Sequence, residues 1–112
     1  MSDKNPRRRR GILAAAFLLL AGLSTAHADD AKIVIDNFTF TPATLTVAPG
    51  TRVVWTNNDD IPHTVVSAVS PPLFKSKALD TDDSFSTVFD KPGTYGYFCG
   101  LHPHMQGTIV VK

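Results

Sequence analysis

Apolar residues recur at every second position over much of this chain. Ile33 and Ile35 alternate with polar neighbours, and Phe38 and Phe40 take up the inward phase beyond the bend signalled by Asp36-Asn37. Leu45 and Val47 follow Pro42, while Val53 and Trp55 share one face of residues 52–57. Phe85 and Phe89 mark a further strand, and Tyr95, Tyr97 and Cys99 fall on one side of the next. Residues 107–112 read as a closing strand, and residues 63–67 as one led by His63. A period of two, rich in β-branched and aromatic side chains, predicts half-buried strands. Ala48-Pro-Gly-Thr51 and Asp90-Lys-Pro-Gly93 are turn sequences. Residues 68–83, with Pro71-Pro72 and three aspartates, are the least regular and leave room for a short turn of helix. About seven short strands with turns about every 8–12 residues predict an all-β fold, a β-sandwich.

A length of 112 residues allows one domain, and residues 1–28 stand apart from it. Residues 7–10 are four arginines, residues 12–23 an apolar run of twelve, and Ala26-His-Ala28 has the small-x-small form of a signal-peptidase site. A spanning helix needs roughly 20 apolar residues, so the run predicts a cleaved export signal and no membrane anchor after cleavage. Arg9-Arg-Gly-Ile-Leu13 also resembles a twin-arginine pattern, which leaves the export route open. The expected domain is therefore residues 29–112, released after Ala28 into the periplasm. It holds six basic residues and nine aspartates, a formal charge of −3, with no electrostatic footprint for nucleic acid. At 84 residues its core is small, so a bound metal would matter to stability.

The chemistry concentrates in Cys99-Gly-Leu-His102-Pro-His-Met105. A thiolate, an imidazole and a thioether recur there at three-residue intervals, and soft sulfur together with imidazole favours copper over hard cations. One Cys, two His and a weak axial Met describe a blue-copper electron-transfer site, and His63 is the candidate second histidine. Pro103 stiffens the loop. An exported chain with one cysteine leaves that thiol unpaired unless something holds it. Zinc accepts Cys and His as well, but Met105 tilts the choice to copper. His104 reads as an exposed neighbour of the loop.

Trp55-Thr-Asn-Asn-Asp-Asp-Ile-Pro-His63-Thr-Val and Pro92-Gly-Thr-Tyr-Gly-Tyr-Phe-Cys99-Gly-Leu-His102-Pro-His-Met105-Gln-Gly together resemble a cupredoxin. The short Cys-x-x-His-x-x-Met spacing is most similar to amicyanin. The resemblance spans residues 33–112 and implies a cupredoxin-like Greek-key sandwich with one type 1 copper ion per chain. It implies His63, Cys99, His102 and Met105 as the ligands and His102 as the partly exposed one through which electrons pass. Thr64 stands where amicyanins usually carry Asn, a residue that ties the first histidine's loop to the cysteine loop. His104 stands where amicyanin has Phe.

The function expected is an exported, monomeric blue copper protein that carries single electrons. Its partners would be other redox proteins: a donor dehydrogenase, a c-type cytochrome or another terminal acceptor. A copper storage or delivery module is the alternative, against which the chain has no Met-rich or His-rich tract. An enzyme is not expected, since no nucleophile–base pair or second metal cluster is visible. Pro71, Pro72, Leu73 and Phe74 are expected to extend an apolar docking surface near the copper, and Trp55 to be core.

Overall fold

The computed structural model describes residues 29–112; the export signal expected over residues 1–28 lies outside them. The alternating residues form eight short strands, and no helix occurs among the described residues. They are β1 (Ala31–Asp36), β2 (Thr39–Thr41), β3 (Thr44–Val47), β4 (Thr51–Asn57), β5 (Val66–Ser67), β6 (Ser84–Phe89), β7 (Gly93–Phe98) and β8 (Gln106–Val111). Two four-stranded sheets result, ordered β2-β1-β4-β6 and β3-β8-β7-β5. β1 runs parallel to β4 and β3 parallel to β8, the other pairs being antiparallel. Pro42 cannot donate to a ladder, and the chain passes there from the first sheet (β2) to the second (β3).

The inward positions make one core. Ile33, Ile35, Phe40, Val53, Trp55, Tyr97, Ile109 and Val111 are all buried. Trp55 is its centre, with Phe74, Phe85, Phe89 and Tyr97 at ring-centroid distances of 5.3–6.4 Å. Large rings at tilted and edge-on angles fill a small core efficiently, which is how 84 residues hold a sandwich together. Tyr97 pairs with Gly107 across β7 and β8, and a Cβ at 107 would collide with the Tyr97 ring and hydroxyl. Burial pushes the Tyr97 hydroxyl pKa up to about 12, with the Trp55 indole N–H pulling the other way; neither polar atom meets hydrogen-bond geometry with a partner among the described residues.

Three expectations change. The strand expected over residues 63–67 shrinks to β5, because the Val65 amide donates to Ser76 Oγ and the Thr64 amide points to Cys99 Sγ. His63 instead forms an isolated bridge with Leu79. Residues 68–83 form no helical turn; they run beside residues 63–67, with Ser67 N donating to Phe74 O and Ser76 N to Val65 O. Phe38 does not point inward. Asn37 and Phe38 make a two-residue turn between Asp36 and Thr39, and the alternation restarts at Phe40.

Candidate metal centre

Three connections gather at one end of the sandwich: the β1–β2 turn, the segment from Asn57 to His63, and the β7–β8 loop. The last closes on itself. Cys99 N donates to Met105 O, His102 N to Cys99 O and Met105 N to His102 O, at 2.9–3.2 Å. Cys99 and Met105 are buried, His102 is half-buried and His104 is exposed. His63 is wholly buried, held by reciprocal backbone bonds with Leu79 of 3.1 and 2.8 Å.

These placements bring His63, Cys99 and His102 together. One donor atom from each lies within 4.8 Å of the others. Cys99 Sγ is 3.8 Å from His63 Nδ1 and 3.7 Å from His102 Nδ1. An ion about 2.3 Å from a thiolate and about 2.0 Å from an imidazole nitrogen, with the bonds about 120° apart, separates those two atoms by about 3.7 Å. The spacing therefore fits one ion lying among all three donors. Met105 is 5% exposed, packs in the same core cluster as Cys99, and is hydrogen-bonded through its backbone to both Cys99 and His102.

Around the donors lies a frame of hydrogen bonds. Thr64 donates its amide to Cys99 Sγ at 3.3 Å, which stabilises negative charge on the sulfur. Its hydroxyl accepts the Gly100 amide at 2.7 Å and so ties the His63 segment to the cysteine loop. This is the job expected of the residue at position 64. Asn57, fully buried, donates to Ile61 O and Leu79 O and accepts the Asp59 amide, fixing the segment that ends at His63.

Asp59 and Phe38 were not anticipated as site residues. The Asp59 carboxylate accepts the amides of Asn37 (2.6 Å) and Phe38 (3.0 Å) and lies 2.7 Å from His63 Nε2. Its pKa is held below the ordinary carboxylate range, first by the Phe38 amide, with burial opposing and the Asn37 amide and His63 adding. A carboxylate on the far nitrogen fixes the imidazole tautomer and leaves Nδ1 free to bind a metal. The available signal was an acid four residues before a candidate ligand, in an Asn/Asp-rich turn after a strand. Phe38 rests edge-on against both imidazoles, with centroids 5.5 Å from His63 and 5.1 Å from His102.

Leu73 and Phe74, expected with Pro71 and Pro72 to extend an apolar surface near the copper, lie elsewhere. Leu73 and Phe74 line a cavity with residues 87–91 and Tyr95, four residues down the strand from Cys99, or about 13 Å at an extended rise. Phe74 packs under Trp55 because the core needs another large ring.

The chain has known relatives of this architecture. A cupredoxin-like domain model matches residues 10–111. A chloroplastic plastocyanin of Tetradesmus obliquus is 35% identical over 117 residues, covering 90% of this chain and 81% of the relative. Amicyanin-alpha of Methylorubrum extorquens is 31% identical over 102 residues, covering 88% and 86%. Among solved structures, a purple cupredoxin from Nitrosopumilus maritimus is 36% identical with a TM-score of 0.69, covering 74% of this chain and all of that one. A Cu(I) form of an amicyanin variant is 26% identical with a TM-score of 0.71, covering 80% and 88%. With nearly the whole chain matched in sequence and the sandwich matched in structure, this protein belongs to the cupredoxin-like domain family.

Proposed function

We propose that this protein carries single electrons through one copper ion held by His63, Cys99, His102 and Met105. The observation that carries this reading is the convergence of two imidazoles and a buried cysteine sulfur within 4.8 Å, with Cys99 and His102 in a loop tied at both ends. Copper in such a donor set supplies a Cu(II)/Cu(I) couple, with soft sulfur favouring the reduced state and imidazole serving both. The residues do the rest. Cys99 and His63, both fully buried, exclude water from one side of the site. The Thr64 amide and the Asp59 carboxylate hold the sulfur and one imidazole at fixed angles, so little rearrangement accompanies gain or loss of an electron. His102, half-buried at the surface, is the path by which an electron passes.

The plastocyanins and amicyanins it resembles support a redox-carrier role over an enzymatic one. Other redox proteins, a donor dehydrogenase and a c-type cytochrome or another acceptor, are its proposed partners. Export to the periplasm with cleavage after Ala28 is proposed from the leader pattern in residues 1–28. Protein-film voltammetry on residues 29–112 loaded with copper tests the carrier role. A reversible one-electron wave supports it. An irreversible wave with rapid loss of copper to a chelator would mark a delivery module instead.

A further inference from the structure

We propose that Phe38 is a positioning residue for electron transfer, an aromatic clamp that restrains both ligand imidazoles from the solvent side. The inference rests on the copper site proposed above. Phe38 is 50% exposed, although it is one of the larger apolar side chains in the domain. Its backbone is left-handed, with φ +57°, and Asn37 before it has φ +51°. Two left-handed residues in a two-residue hairpin turn are characteristic of the type that favours Asn-Gly, because glycine meets no steric penalty there. A bulky aromatic in that conformation is a real outlier and persists only where its surroundings hold it.

The holder is Asp59. Its carboxylate takes the amides of both strained residues and also meets His63 Nε2. One side chain thus fixes the turn, and through it the Phe38 ring, relative to a metal ligand. The ring stands at 86° to His63 and 90° to His102, while the two imidazoles are 5.0 Å apart. Three rings form a closed triangle in edge-to-face contact, an attractive arrangement for aromatic pairs. His63 is already immobile by burial. His102 is not, and neither Nδ1 nor Nε2 of His102 has a hydrogen-bond partner other than the Cys99 sulfur among the described residues. Phe38 and His63 are its aromatic neighbours, and of the two only Phe38 is exposed to solvent, so an outward swing of His102 must first break the Phe38 contact.

Two variants separate ring from backbone. Phe38→Asn keeps a residue that tolerates left-handed φ and removes the ring; Phe38→Tyr keeps the ring. In the metal-free protein, nuclear magnetic resonance of the imidazole protons should show His102 broadened by exchange in Phe38→Asn and sharp in wild type and Phe38→Tyr, with an undiminished melting temperature in Phe38→Asn. After copper loading, Phe38→Asn should release metal to a chelator about tenfold faster, the scale set by losing an aromatic contact of ordinary strength, and exchange electrons between copies more slowly. Phe38→Tyr should stay close to wild type in both. If Phe38→Asn folds and matches wild type in imidazole line width, copper release and self-exchange, the clamp is overturned while a blue wild-type protein leaves the copper site standing. A wild-type protein that takes up no copper would overturn both.

Discussion

The two ends of this sandwich are built differently. At the end opposite the site, the chain turns at Ala48-Pro-Gly-Thr51 and Asp90-Lys-Pro-Gly93 with modest help from side chains: Thr51 Oγ1 donates to Ala48 O and Tyr95 OH to Lys91 O. At the site end, Asn57, Asp59, Thr64 and Thr81 tie three connections to one another through side chain–backbone bonds. Two polar residues there, Asn57 and His63, are as fully buried as Trp55. A turn needs only to reverse the chain. A ligand frame must hold donor atoms against motion, and directional hydrogen bonds do that where apolar contact alone would let the loops slide.

The sharpest break in that contrast is Asn57→Ala. It strands the Ile61 carbonyl and the Asp59 amide and takes from the Leu79 carbonyl one of its two donors, the His63 amide remaining, so the metal-free domain should lose about 3 kcal/mol of stability in urea denaturation. Asp59→Asn should come next. It keeps the shape but weakens the grip on His63, and copper affinity measured by chelator competition should fall about 10–100-fold. The pH dependence follows from the same carboxylate. Its folded pKa lies below its unfolded one, so its contribution is complete above about pH 4 and fades as pH falls through the lower folded value. The gap in melting temperature between wild type and Asp59→Asn should accordingly hold from neutral pH down to about pH 4 and narrow only below it. Thr64→Val removes the hydroxyl that accepts the Gly100 amide and makes a long 3.9 Å contact to Cys99 Sγ, but keeps the shorter hydrogen bond from the backbone N–H to the sulfur. About 1 kcal/mol of stability should be lost, with the visible spectrum shifted little, by thermal melts and absorption. At the far end Thr51→Val should cost about 0.5 kcal/mol and leave copper affinity unchanged.

How much was legible in the sequence divides along the same line. Cys99, His102 and Met105 sit in one seven-residue stretch, so their convergence needed only a loop between two strands, and the core from Ile33 to Val111 followed from the period of two. What was missed depends on distant partners or broken periodicity. Asp59 acts through amides 21 and 22 residues away, a relation invisible along the chain. Phe38 looked inward because alternation was carried across Asn37, whereas a two-residue turn resets the phase and sends the ring onto the imidazoles. The strand expected from His63 failed because its amides serve Cys99 and Ser76, so the demands of the site override the ladder.

The central claim is that one copper ion binds through the Cys99 thiolate in this frame. It is tested most directly by titrating residues 29–112 with Cu(II) while recording visible absorption and electron paramagnetic resonance, beside Cys99→Ser. The expected result is an intense thiolate-to-copper band with narrow copper hyperfine splitting, saturating at one equivalent and absent from Cys99→Ser. A colourless complex, or one whose spectra survive the loss of the thiol, would contradict it.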